Sequence, residues 1–397
     1  MFADVKPLPP DPILGLSAAF KKDPRADKID LGVGVFRDLT GNTPVMAAVA
    51  KAEATLLQAQ NTKVYIPVAG APGFAEGLLD LLFGADHPVL AAGRVTAIQA
   101  AGGCGSLRVG GELLASFGAK GVTTGAPTWP NHGPLLGAAG LALNQIDYYD
   151  GAARAIDFPA FEAGVRKLGP GDVLLLHGPC HNPTGADLAH DQIRSIADLA
   201  LEREFTVLVD CAYHGFASDL ENDAFIVREL ASRLPELLVT YSCSKNFGLY
   251  RERTGALIMV GRTAEDADAL KTHAMKLTRA NYSMPPAHGG SIVSAILNSG
   301  ELSALWRDEL AAMTKTVKDN RAALVAAAAE QGLGNDLGYI SDQNGMFSLL
   351  PLTRDQVAKA REEHGVYIVG AGRINLCGVN AQNAPRIIEA YRAVTKT

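Results

Sequence analysis

The sequence has no window of about twenty residues that is both apolar and free of charge, the length needed to cross a bilayer, so no membrane span is expected. Its opening residues, MFADVKPLPPDP, lack a basic stretch followed by an apolar one, so no signal peptide is expected. Cysteine is scarce: the five residues Cys104, Cys180, Cys211, Cys243 and Cys377 are odd in number and include no C-x-x-C pair. That argues against a disulfide framework and for free thiols in a reducing compartment, with a soluble cytoplasmic protein as the expectation. Positive charge is not in excess either, with Lys+Arg 36 against Asp+Glu 42 and a formal charge of −6. No global field attracts nucleic acid, and no basic run carries interleaved aromatics. The 41 Gly and 21 Pro are scattered, which excludes collagen-like and low-complexity classes, and no repeat of 20–50 residues is visible.

What is present is a large core. Hydrophobic residues are 48% and charged residues 20% of 397, enough apolar side chain for two or three structural units at about 150 residues each. Residues 48–60, 73–83, 105–117 and 189–203 have helical character, the third opening from a glycine turn. The runs at 173–177 (VLLLH) and 206–210 (TVLVD) are continuously apolar, the pattern of strands buried on both faces, and 237–241 and 255–260 add two more. Alternating strands and helices over 45–300 predict an α/β fold with a mainly parallel sheet flanked by helices. Residues 301–331 read as one long helix bridging two units, with short strands at 346–350 and 366–369 beyond it. The expected division is an extended Pro-rich arm over 1–12, a first part of a smaller α/β domain over 13–44, a large domain over 45–312, and the rest of the small domain over 313–397.

In such sheets ligands sit beyond the carboxyl ends of strands. Three predicted strands are followed by polar clusters: Gly178-Pro179-Cys180-His181-Asn182-Pro183-Thr184-Gly185, Asp210-Cys211-Ala212-Tyr213, and Ser242-Cys243-Ser244-Lys245. Each alone is ordinary loop chemistry, since Asn-Pro and Thr-Gly make turns, but the fold brings the three together. The turn Gly102-Gly103-Cys104-Gly105 opens a helix, where free N–H groups favour a phosphate. It is not a dinucleotide fingerprint, because Arg108 stands where a third Gly is needed, and no Walker A pattern occurs. Lys245 at a strand end is unusual without a partner or a task. Schiff-base chemistry is one task. The base of a Ser-x-x-Lys acyl enzyme is another, but that motif wants a helix beneath it and a K-T-G strand, and the sequence has neither. No metal site is expected: His177 and His181 are separated by Gly178 and Pro179, and H-E-x-x-H is absent. A phosphate-bearing carbonyl cofactor, pyridoxal phosphate, accounts for the set, with Asp210, Tyr213, Asn182, Ser242, Ser244, Arg253 and the Gly103 loop as candidate donors and acceptors.

The segments LGVGVFRD (31–38), PTWPNH (127–132), HGPCHNPTG (177–185), DCAYHGF (210–216), SCSKNFGLYRERTG (242–255) and GRIN (372–375) occur in this order. They resemble the class I, fold-type I, pyridoxal-phosphate aminotransferases acting on aspartate and aromatic amino acids, and the resemblance covers nearly the whole chain. It implies Lys245 as the amine that bonds the cofactor and then moves the substrate proton, Asp210 as partner of the pyridinium, and Trp129 stacked on the ring. It implies Asn182 and Tyr213 on the phenolic oxygen, and Gly103, Cys104, Ser242, Ser244 and Arg253 on the phosphate. Tyr65 would reach the phosphate of a second subunit in a homodimer with shared sites, and Arg279 would cross to meet a side-chain carboxylate. Arg373 would clamp the α-carboxylate, with Asn182, Trp129 and Gly34 also against the substrate as the small domain closes.

Two residues depart from the family pattern. Cys104 replaces the usual Thr or Ser in the phosphate loop, and Phe36 replaces a usual Tyr. For substrate range, Val64, Met284 and Cys104 are less polar than in aspartate-restricted members, whereas Val35 and Thr43 look aspartate-like. The expected reaction is transfer of an amino group from aspartate, aromatic amino acids or both to 2-oxoglutarate. A lyase or decarboxylase on the same scaffold, the Ser–Lys hydrolase and a non-catalytic small-molecule binder are the alternatives, and Lys245 together with Asp210 argues against the last.

Overall fold

The computed structural model describes residues 2, 5–7, 12–38 and 40–396. After a short strand β1 (Ile29–Asp30) come β2 (Val95–Ala101), β3 (Gly121–Ala126), β4 (Leu143–Asp147), β5 (Asp172–His177), β6 (Thr206–Cys211), β7 (Leu237–Ser242) and β8 (Thr254–Val260). The last seven form one sheet in the order β2-β8-β7-β6-β5-β3-β4. Neighbours pair parallel except at β8, which runs antiparallel to both β2 and β7. The apolar runs are continuous because each face of the sheet is covered. Leu174, Leu176, Val207 and Val209 enter one core cluster, and the alternate residues Val173, Leu175 and Leu208 enter the other.

A second group of elements contains β9 (Phe347–Leu349), β10 (Val366–Tyr367) and β11 (Arg373–Asn375). β9 pairs antiparallel with β11, and β1 pairs parallel with β10, so the chain near residue 30 joins its C-terminal part. The 31-residue helix Gly300–Glu330 grips both groups. Near its start Trp306 stacks on Phe247 at 4.4 Å and donates its indole N–H to the Asn246 carbonyl at 2.8 Å. Further on, Asn320 donates to the Leu376 carbonyl, and the buried Arg321 donates to the carbonyls of Gly345 and Phe347. Among the described residues no helix is long and apolar enough to cross a membrane.

Several local expectations change. The helix expected from residue 105 begins at Gly102. The glycines carry no side chain to reveal periodicity, yet they form its first turn, with Gly102 at φ +72°. β2 (VTAIQAA) and β3 (GVTTGA) lack the branched apolar run that marks their neighbours and escape the sequence reading. The strands expected at 346–350 and 366–369 shorten to β9 and β10, with Val369 making an isolated bridge to Arg373. The arm expected over 1–12 lies largely outside the described residues, and its last residue opens the helix Pro12–Lys22.

Candidate active site

Parallel pairing brings the carboxyl ends of β3, β5, β6 and β7 to one edge, with that of β2 beside them. Because β8 is reversed, its amino end joins them. A cavity of ≈ 240 Å³ opens there. Gly103 and Cys104 reach it from the helix after β2, Trp129 from beyond β3, and Asn182 from beyond β5. Asp210 and Tyr213 come from the end of β6, Ser242, Ser244 and Lys245 from the end of β7, and Arg253 from just before β8. Gly34 and Arg373 enter from the second group of elements. Tyr65 and Arg279 do not line this cavity; both side chains are exposed, Tyr65 at 84%.

One end of the cavity is built of donors. The first turn of the helix Gly102–Ser116 presents backbone N–H groups. Arg253 lies against it, so that a Cβ at Gly102 would sit 2.7 Å from the guanidinium Nη2. Nη1 of Arg253 donates to Ser244 Oγ at 3.4 Å and to the Tyr250 carbonyl at 3.0 Å. Ser242 packs beside Gly103, where a Cβ would meet it at 3.1 Å. At Gly102 and Gly103 a side chain would crowd this cradle.

Asp210 is held differently. Sheet register aligns His177 with Asp210 and Asp210 with Thr240, so the three side chains stand in one row on one face. Thr240 Oγ1 donates to Asp210 Oδ1 at 2.9 Å, and His132 Nε2 lies 3.1 Å from Oδ2. Thr128 Oγ1 is 2.8 Å from both His132 Nδ1 and His177 Nε2. Thr128 Oγ1 thereby joins the two rings, and the His132 ring links it to the Asp210 carboxylate. Burial drives the His177 pKa well down, and burial together with His132 takes His181 to about 3, which keeps both rings uncharged.

Lys245 is half-buried, with Nζ 4.7 Å from the Tyr213 ring centroid and no ion pair among the described residues. Burial lowers its pKa from the ordinary 10.5, and Arg253 pushes the same way, while Asp210 and Cys104 oppose. Its neutral form is therefore easier to reach than that of an exposed lysine. Arg373, only 6% exposed, donates through Nη1 to Asn182 Oδ1 at 3.3 Å and through Nη2 to the Gly32 carbonyl at 3.0 Å. Its buried Nε has no partner among the described residues. A buried guanidinium with a free N–H and no carboxylate beside it is suited to an incoming anion.

The donor set fits a phosphate-bearing pyridine aldehyde: a cradle for a dianion, a carboxylate for a protonated ring nitrogen, an amine for a carbonyl, and a separate guanidinium for a carboxylate. Sequence reading missed what supports these groups. His132 lies within the PTWPNH motif, but nothing in the chain order ties it, Thr128 or His177 to Asp210. Tyr250 and Phe347, which also line the cavity, carried no signal beyond their place in loops or short strands.

Comparison with known proteins agrees with this chemistry. Residues 26–390 match the family model described as aminotransferase class I and II. The chain is 44% identical over 394 residues to the aromatic-amino-acid aminotransferase of Pseudomonas aeruginosa, covering 99% of this chain and 98% of that protein. It is 42% identical to the aspartate aminotransferase of Escherichia coli, covering 99% and 100%. The crystal structure of an aromatic-amino-acid aminotransferase from Burkholderia pseudomallei, covalently bound to pyridoxal phosphate, superposes with a TM-score of 0.96 at 38% identity over 99% of each chain.

The lowered Lys245 pKa yields a prediction. Only the neutral amine attacks a carbonyl, so the rate of pyridoxal phosphate uptake by the apoenzyme should rise with pH and level off below 10.5. Asp210→Asn removes an opposing charge and should move that midpoint lower still. A stopped-flow pH profile checks both, and a midpoint at or above 10.5 contradicts the assignment.

Proposed function

The chain belongs to the class I and II aminotransferases, whose cofactor is pyridoxal 5'-phosphate, and from that membership we propose that it carries the amino group of aspartate and of aromatic amino acids to 2-oxoglutarate in a ping-pong cycle. The observation that carries this reading is the presence of Lys245, Asp210 and Arg373 around one cavity.

Pyridoxal phosphate, when bound, supplies a carbonyl that takes up the amino group and a ring that draws electrons from the substrate α-carbon. The residues of the chain do the rest. Lys245 Nζ holds the cofactor, then takes the proton from the α-carbon and returns it to the other side of the exchange. Asp210 holds the proton on the ring nitrogen, and the donors from Thr240 and His132 keep its carboxylate turned to that task. Asn182 and Tyr213 serve the phenolic oxygen, and Trp129 covers the ring. Gly103, Cys104, Ser242, Ser244 and Arg253 take the phosphate; the thiol of Cys104 is a weak donor, and the backbone N–H groups beside it carry that contact. Arg373 binds the substrate α-carboxylate with Asn182 beside it, and Gly34 lies against the substrate backbone. We read residues 13–44 with 313–397 as one domain and 45–312 as the other, closing on this cavity to exclude water.

We assign Tyr65 and Arg279 to the cavity of a second copy of the chain. Their exposure supports this, as do the neighbouring exposed apolar side chains Val64 at 77% and Leu57 at 82%. The Lys245→Ala and Arg279→Leu homodimers should each fail with aspartate. Mixed and allowed to exchange subunits, they should regain turnover, because one site of the heterodimer then carries both lesions and the other none. No recovery after verified exchange means that Arg279 acts within its own subunit.

Substrate range follows from the same residues. Arg279 pairs a distal carboxylate, whereas Val64, Met284 and Cys104 lower the desolvation cost of an uncharged ring. Phenylalanine and tyrosine should be used at efficiencies not far below aspartate. Arg279→Leu should cripple the dicarboxylic substrates and spare the aromatic ones. The check is kcat/KM for the three donors with 2-oxoglutarate in both proteins. Discrimination against the aromatics by more than about 4 kcal/mol in wild type contradicts dual use.

A further inference from the structure

Residues 31–38 cross the mouth of the cavity without belonging to a helix or strand, so their backbone groups must find partners one at a time. Almost all of those partners lie in the second group of elements or in the segment itself. The Leu31 carbonyl accepts from the Asn375 amide at 2.7 Å, and the Gly32 carbonyl from Arg373. The carbonyls of Val33 and Val35 accept from Asn375 Nδ2, and that of Phe36 from Thr43 Oγ1 at 2.8 Å. One bond leaves this group of elements. The Phe36 amide donates to the phenolic Oη of Tyr250 at 2.8 Å. Tyr250 stands five residues after Lys245, on the loop that carries it, and lines the cavity together with Gly34 and Arg373. Among the described residues this is the only hydrogen bond from 31–38 to the sheet and its loops.

We propose that Tyr250 is a positioning residue for substrate: its hydroxyl latches the 31–38 segment over the cavity, and so sets how tightly the amino acid is held once Arg373 has taken its carboxylate. This rests on the aminotransferase reading above. The latch is separable from cofactor binding because Tyr250 has two contacts with different owners. Its backbone carbonyl accepts from Arg253, on the donor cradle, whereas its hydroxyl faces Phe36. The hydroxyl oxygen is the acceptor in this bond, so the latch does not depend on the phenol proton, and burial raises the pKa of that phenol above its ordinary value. The segment meets the substrate through Gly34, and Phe36, at 4% exposure, is a rigid anchor for it. Phe36 contributes to the latch through its main chain.

Tyr250→Phe removes one hydroxyl and keeps the ring and the carbonyl contact. A neutral hydrogen bond of this kind corresponds to about a three- to tenfold change in an equilibrium constant. KM for aspartate and for phenylalanine should rise by that factor with kcat nearly unchanged, the signature of lost uniform binding. The dissociation constant for pyridoxal phosphate and its absorbance band should not move. Hydrogen–deuterium exchange of a peptide spanning 33–38 should quicken in the holoenzyme variant, and succinate, a dicarboxylate with no amine to transfer, should slow that exchange less than in wild type. Unchanged KM with unchanged exchange overturns the latch. A fall in kcat at constant KM overturns it too, by placing the hydroxyl in the chemistry, and a weakened cofactor overturns the separation of the two contacts. Absence of amino transfer in wild type is a different result: it removes the functional reading, while the exchange measurement still tests the latch.

Discussion

Asp210 stands at the end of β6 with one carboxylate oxygen on Thr240 and the other on His132, and the architecture around the cavity is arranged so that it can stay there. A carboxylate taken out of water without donors costs several kcal/mol, so each of its partners has to be placed by something rigid. Register across three parallel strands places Thr240 and His177. The loop after β3 then brings Thr128 and His132 between them. One buried acid thereby ties together β5, β6, β7 and the β3 loop, and a shift of one strand by one residue would turn the row away from the cavity.

Against this single acid the cavity sets three basic side chains, Lys245, Arg253 and Arg373, none with an ion-pair partner among the described residues. The surplus of basic groups suits a cavity that takes anions. It also divides the labour: Arg253 is tied to the lysine loop and the glycine turn, and Arg373 to Asn182 and the segment near residue 32. Burial depresses the pKa of both Lys245 and Arg373, but with opposite consequences. A lowered lysine value eases loss of the proton from the amine, whereas a guanidinium, with its higher ordinary value, stays charged. The same burial thus favours proton loss from the amine and leaves the guanidinium charged.

The strands that carry Asn182, Asp210 and Lys245 were legible because burial on both faces demands unbroken apolar runs, as in VLLLH and TVLVD. The polar groups after them stood out for the same reason. β2 and β3 were hidden because their close packing uses Ala, Gly and Thr, and the start of the helix at Gly102 was hidden because glycines show no periodicity. Support at a distance was illegible in principle. His132 and Asp210 are 78 residues apart, and Phe36 and Tyr250 are 214 apart, so only the folded sheet brings them into contact. Tyr65 and Arg279 were named from the family resemblance alone, since an exposed side chain carries no local mark of serving another chain.

The central claim is that the amine carrying the cofactor is Lys245, at the end of β7. Borohydride reduction of the holoenzyme fixes the cofactor to whichever lysine holds it, and peptide mapping by mass spectrometry then identifies the residue. A single phosphopyridoxyl label is expected, on the peptide containing Lys245. A label on another lysine, with Lys245 unmodified, would contradict it.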